Sequence, residues 1–203
     1  MGDVEKMIDW EQFRPIIKDL STNNTEKGGR PNLDVIELRR CLYPDRHDYE
    51  MIGSSVTELQ WLDGIAGDRP VLVVAEGLVE YLHEKDAVAL FTRITGQFPG
   101  GQIIFDTYSR LTVRVINLAV KLASLRSKPT ATGTPVHLPW GIDDPRELER
   151  LVPGLRLVSA VPFLTMPELV RRLAYSRVQA LAYRVLEQCG WYRRSMQHFR
   201  YEF

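Results

Sequence analysis

The spacing of apolar positions changes character near residue 33. From Asp34 onward, stretches with helical and with strand periodicity alternate. In DVIELRRCLY, Val35, Leu38 and Leu42 recur at steps of three and four, which predicts a helix. YEMIG (49–53) reads as a short strand and TELQWLDGI (57–65) as a short helix. VLVVAEG (71–77) opens as an unbroken apolar run, the pattern of a strand buried on both faces of a parallel sheet. EKDAVALFTRITGQF (84–98) is amphipathic, with Val88, Leu90, Phe91 and Ile94 on its inner side. GGQIIFDTYS (100–109) is a second buried strand. Leu111 to Leu125 is apolar almost all round, which predicts a helix buried between elements or lying over a pocket.

After a Pro-, Thr- and Gly-rich loop at 127–139, a helix restarts near Asp144. Asp144 is placed to cap it, Pro145 to fill the first turn and Glu147 to complete a capping box. LRLVSAVPF (155–163) is a strand. Residues 167–188 predict a long helix with an inner stripe of Val170, Leu173, Val178, Leu181 and Val185. Its arginines, Arg171, Arg172, Arg177 and Arg184, lie mostly off that stripe, as on a solvated face. The closing SMQHFRYEF (195–203) alternates like a strand. Before residue 33 the chain is polar. Asp9 to Leu20 predicts a short helix whose start is set by Pro15, and TNNTEKGGRPN (22–32) is a loop.

This order of strands and helices implies a doubly wound α/β sheet. In such sheets ligands bind beyond the carboxyl ends of the strands. Two predicted strands end in acids there: Glu76 after VLVVA and Asp106 after QIIF. Either could cap a neighbouring turn; two on one edge point to a site.

Composition narrows the picture only slightly. The 203 residues suffice for a domain with its own core, and 26 basic residues balance 26 acidic ones, so bulk charge indicates no polyanionic partner. Cys41 and Cys189 are far apart and form no CxxC pair, which predicts free thiols in a reducing compartment. No metal site is expected. The start lacks an apolar leader, and the longest apolar stretch is broken by Arg114 and Lys121, so the expectation is a cytoplasmic protein with no membrane span.

Five segments in order carry a resemblance: DVIELRRCLYP (34–44), MIGSSVTELQWLD (51–63), AEGLVEYL (75–82), FPGGQIIFDTYSR (98–110) and the terminal HFRYEF. Together they resemble the leucine carboxyl methyltransferase family, in particular its bacterial branch linked to polyketide O-methylation. The resemblance covers residues 34–203. It implies a class I methyltransferase fold, S-adenosylmethionine as cofactor, and a small-molecule carboxylate or hydroxyl as acceptor. By position, Ser54, Ser55 and Val56 correspond to the segment near the adenine. Ala75, Glu76 and Gly77 correspond to the strand end beside the cofactor's methionine part, and Tyr81 to a tyrosine facing the acceptor. Helix capping remains the alternative for Ser54 and Ser55, and a core position for Tyr81. A carboxylate acceptor is already ionised and needs no base; a hydroxyl acceptor would use one, for which Asp106 and His137 are the candidates.

In that family the cofactor site opens with a strand, a Gly-rich turn and an acid for the ribose hydroxyls. Before Asp34 the one glycine pair is Gly28–Gly29, no apolar strand precedes it, and Pro31, Asn32 and Leu33 stand where the acid is expected. The expectation is therefore a partial Rossmann-like sheet lacking its first strands, with helices on both faces and weak or absent activity. The VLVVAEG strand is left with an open edge, and marginal stability or homo-oligomerisation through that edge is expected. Residues 1–33 resemble the N-terminus of DDE-type insertion-sequence transposases. That implies an insertion-derived segment (1–33) ahead of a truncated methyltransferase domain (34–203). Two other readings follow: a non-catalytic scaffold pairing with an intact homologue, and a DNA-associated fusion. The last is weakest, because acids (Asp3, Glu5, Asp9, Glu11, Asp19, Glu26) outnumber bases (Lys6, Arg14, Lys18, Lys27, Arg30) in the front segment, and nucleic acid is not expected as a partner.

Overall fold

The computed structural model describes residues 14–15, 40–43, 50–126, 137–163, 185–186 and 188–203. Its centre is a five-stranded mixed sheet. The strands are β1 (Arg14–Pro15), β2 (Val71–Ala75), β3 (Gly101–Tyr108), β4 (Arg156–Pro162) and β5 (Met196–Glu202), in the spatial order β1-β2-β3-β5-β4. β1 and β3 flank β2 in parallel, whereas β5 runs antiparallel to both β3 and β4. The helices are α1 (Glu84–Gln97), α2 (Arg110–Arg126), α3 (Glu147–Leu151) and α4 (Gly190–Ser195), with 3₁₀ turns at Leu59–Gly64 and Val79–Tyr81. The β2–α1–β3 unit is the parallel crossover that the alternating pattern predicts.

One sheet face forms the core. Phe105 lies at its middle, stacked on Phe91 of α1 at 5.2 Å between centroids and on Tyr201 of β5 at 5.8 Å, with Phe199 edge-on. These rings, with Ile103, Leu90 and Ile94, are almost wholly removed from water. Each such side chain contributes about 2 kcal/mol from burial. As expected, α1 turns Leu90, Phe91 and Ile94 inward, with Val88 half-buried. Gln97 at its end donates to the carbonyls of Leu62 and Ile65 at 2.7 and 2.9 Å, tying the 59–64 turn to the helix. Gly101 admits close strand pairing: a Cβ there would lie 2.2 Å from the Val71 carbonyl oxygen.

Several elements differ from expectation. Residues 50–53 form no strand, and the 57–65 helix is a 3₁₀ turn over Leu59–Gly64. Helix α3 starts at Glu147, later than expected. Asp144 caps the preceding turn instead, its Oδ1 accepting the Arg146 N–H at 2.9 Å. The expectation of a strand buried on both faces holds in part: Leu72 is buried at 5% exposure, whereas Val74 on the same face stands 54% exposed. Helix α2 buries Val113 but leaves Leu111, Val115, Leu118, Leu122 and Leu125 exposed, so of the two expectations, burial between elements or a position over a pocket, the first is not met. Hydrophobicity shows that a helix can be covered, not that a neighbour reaches it.

The front segment supplies an unexpected strand. Asp9–Leu20 was expected to be helical, yet Arg14 and Pro15 pair with Val71 and Leu72. An unpaired row of backbone groups on β2 attracts such an addition, and proline, lacking an N–H, is tolerated at a sheet edge. The remainder of that span, the loop at 22–32, most of the 34–43 helix and most of the 167–188 helix lie outside the described residues.

Candidate functional site

The carboxyl ends of the adjacent parallel strands β2 and β3 bring acids and tyrosines together. β2 ends at Ala75, buried in the core, and the chain turns through Glu76 and Gly77, both exposed. Gly77 has φ +62°, a conformation that residues with a side chain seldom adopt. Its N–H donates to Asp106 Oδ1 at 2.7 Å. Asp106 is 4% exposed. It therefore pins the turn after β2 to the end of β3. The 3₁₀ turn that follows places Glu80 in the interior at 4% exposure, with Tyr81 at the surface.

Glu80 is a buried acid that the surrounding structure leaves partly unpartnered. Its Oε2 is buried and has no hydrogen-bond partner. Burial pushes its carboxyl up to about 7; its own backbone N–H opposes this and the charge of Asp106 adds to it. Tyr108, two residues beyond Asp106 on β3, is raised above the ordinary phenol value by burial and by the charges of Glu80, Tyr81 and Asp106. Among the described residues, neither Glu80 nor Asp106 forms an ion pair with a basic side chain.

The floor beyond β3 is rigid. Ser109 caps α2, its Oγ accepting the Thr112 N–H at 3.2 Å. The 138–143 loop closes against the strand end: Ile142 N–H donates to the Tyr108 carbonyl at 2.9 Å, and Asp143 Oδ1 accepts the Arg110 N–H at 3.0 Å. Gly141 permits this approach, since a Cβ there would meet the Tyr108 carbonyl oxygen at 2.8 Å. Asn117 of α2 clasps the same loop, donating to the Leu138 carbonyl at 2.8 Å and accepting its N–H at 3.0 Å.

The sequence-derived site residues fall into two groups. Ala75, Glu76, Gly77, Tyr81 and Asp106 share one strand-end region, as the positions of the two terminal acids suggested. In the 54–58 segment, Ser54 Oγ donates to the Ser55 carbonyl, Ser55 Oγ accepts the Thr57 N–H, and Val56 is a core residue at 2% exposure. The hydrogen bonds of both serines are thus local turn bonds. His137 is exposed in its loop. Glu80 and Tyr108 were not singled out from the sequence. The available signal was an acid inside GLVEYL, flanked by apolar residues just after a core strand.

No protein-family profile matches the chain. It is 42% identical over 134 residues to the tetracenomycin polyketide synthesis O-methyltransferase TcmP of Streptomyces glaucescens, covering 66% of this chain and 46% of that protein. It is 38% identical over 133 residues to the S-adenosyl-L-methionine-dependent methyltransferase dpfgK of Gibberella zeae, covering 61% of this chain and 42% of that protein. In both cases the matched stretch is less than half of the curated relative's length. Among solved structures, a DUF574 family protein from Streptomyces avermitilis gives a TM-score of 0.48 at 14% identity, over 83% of this chain and 61% of that one. An S-adenosylmethionine-dependent methyltransferase from Mesorhizobium loti gives 0.49 at 12% identity, over 92% and 78%. Over roughly two thirds of its length, this chain is similar in sequence to methyltransferases, one of them an O-methyltransferase of polyketide synthesis.

Proposed function

We propose that the chain carries the strand-end half of an S-adenosylmethionine-dependent O-methyltransferase site, acting on a hydroxyl or carboxylate of a small molecule. The observation that carries this reading is the acid cluster at the ends of β2 and β3, in a chain 42% identical over 134 residues to an O-methyltransferase. The cluster suits a cationic donor: Asp106 and Glu80 bring carboxyl groups without a described basic counterpart, and Glu80 keeps one buried oxygen unpartnered. Ala75, Glu76 and Gly77 would line the cofactor, and Tyr81 would face the acceptor. S-adenosylmethionine supplies a sulfonium methyl, whose transfer forms an O–C bond while the C–S electron pair stays on sulfur. The protein's part is then alignment, exclusion of water and, for a hydroxyl acceptor, a proton acceptor. Asp106 is committed at Oδ1 to the Gly77 N–H, which leaves its other oxygen for that task.

Residues 1–33 hold no Gly-rich turn behind an apolar strand, so the Gly-rich part of a cofactor site does not come from them. Calorimetric titration with S-adenosylmethionine and its demethylated product tests the reading. Binding in the micromolar to sub-millimolar range supports it; no binding to folded protein at millimolar ligand overturns it.

A second reading, association with another copy, is favoured by a specific feature. Among the described residues, β2 is paired on its outer side at Val71 and Leu72 alone. Beside that edge lies an open apolar groove lined by Trp61, Leu62, Val73, Val74, Phe91 and neighbouring apolar residues. A second chain pairing along Val73–Ala75 would satisfy backbone groups and cover apolar surface together.

A further inference from the structure

Glu80 and Asp106 are two buried carboxyl groups at one strand-end corner, and their circumstances differ. Asp106 Oδ1 is occupied by the Gly77 N–H. Glu80 Oε2 is sealed from water and receives no hydrogen bond. A buried carboxylate oxygen without a donor is costly when charged and far less so when it carries a proton. Among the described residues, the titratable groups coupled to this corner are Asp106 and Tyr108 from β3 and Tyr81 from the same turn, and none of these three is cationic. His198 of β5 lies opposite Asp106 in the strand register. Among the described residues no basic side chain is ion-paired with Glu80 or Asp106, so a ligand that brings a positive charge would change the ionisation of Glu80.

We propose that Glu80 is a donor-sensing carboxyl, which holds a proton on Oε2 in the free protein and releases it to solvent when a sulfonium cation is seated beside the Glu80–Asp106 pair. The inference rests on the methyltransferase reading above and extends it. It assigns Glu80 a role in telling the charged donor from the neutral thioether product. It also leaves Glu80 ionised only while the donor is present. When the methyl group and its positive charge have left the sulfur, Oε2 takes up a proton again and the starting state of Glu80 is restored.

Proton linkage measured by calorimetry tests this. S-adenosylmethionine and S-adenosylhomocysteine are titrated into the full chain in buffers of different ionisation enthalpy at pH 7. With a carboxyl that starts near half-protonated, about half a proton is expected to leave per sulfonium bound, and close to none per thioether. Glu80→Gln should abolish the release, while His198→Gln should retain it. Should Glu80→Gln fail to fold, carbon-13 NMR of glutamate carboxyls in the unaltered protein gives the same answer. One resonance should move to its ionised position with the sulfonium ligand at pH 6.5 and stay put with the thioether. Equal proton counts for the two ligands, or release that survives Glu80→Gln, overturns the inference and leaves the methyltransferase reading standing. Failure of both ligands to bind folded protein overturns that reading, and the inference falls with it.

Discussion

The backbone N–H of Gly77 and the Oδ1 of Asp106 meet at 2.7 Å, joining the turn after one parallel strand to the end of the next. The bond is part-buried, and Gly77 donates it from a turn in which its φ is +62°. Two substitutions probe the two halves of this arrangement. Asp106→Ala leaves the N–H without its acceptor and is expected to lower stability by about 1–3 kcal/mol. Gly77→Ala meets no neighbouring atom within 4 Å, so its cost is conformational alone, about 1–2 kcal/mol. Chemical denaturation of each variant checks both values, and cofactor affinity should fall with either.

Stability should depend on pH through Glu80. Its folded-state value, about 7, lies above the ordinary 4.5, so the folded protein binds more protons than the unfolded chain between those values. The associated stability is fully present below about 4.5 and is lost as pH rises through about 7. Relative to the unaltered protein, Glu80→Gln should gain on the order of 3 kcal/mol between pH 4.5 and pH 8. Urea melts of both proteins across that range measure the slope. Parallel pH profiles would show that Glu80 does not titrate as described.

Two glycines should respond oppositely to alanine. Gly96 lies within α1, and an added Cβ finds nothing within 4 Å, so Gly96→Ala should stabilise by about 0.5–1 kcal/mol. At Gly101 the Cβ would lie 2.2 Å from the Val71 carbonyl oxygen and 2.9 Å from the Phe203 ring. Gly101→Ala should therefore cost several kcal/mol, about as much as the larger overpacking changes. Thermal melts of the pair distinguish the two outcomes directly.

The outer edge of β2 offers a test of self-association. Val74 is 54% exposed and lines the apolar groove beside that edge. If copies of the chain associate there, sedimentation velocity should show a concentration-dependent dimer that Val74→Asp converts to monomer, because a charge on a pairing strand blocks strand addition. A monomer at all concentrations before substitution would remove this reading.

The clasp of Asn117 on Leu138 predicts a local effect. Asn117→Ala removes one donor and one acceptor from the 138–143 loop and should cost about 1–3 kcal/mol, with faster amide exchange at Leu138.

Most of the architecture was legible in the order of apolar runs. The strands at 71–75, 101–108, 156–162 and 196–202 and the helix at 84–97 follow from periodicity, because each element must turn a continuous apolar face to a common core. The strand-end acids Glu76 and Asp106 could also be placed in one region from sequence, since parallel strands joined by a crossover helix end on the same side. What could not be read there depends on contacts between distant residues. That Asp106 is held by Gly77, 29 positions away, that Glu80 loses water without gaining a partner, and that Arg14–Pro15 join a sheet as a strand are outcomes of packing. A local pattern records which side chains avoid water. Whether a given carboxyl ends beside a donor, beside another carboxyl or beside nothing is decided only when the strands close on one another, because electrostatic and hydrogen-bond energies depend on distances that sequence separation does not encode.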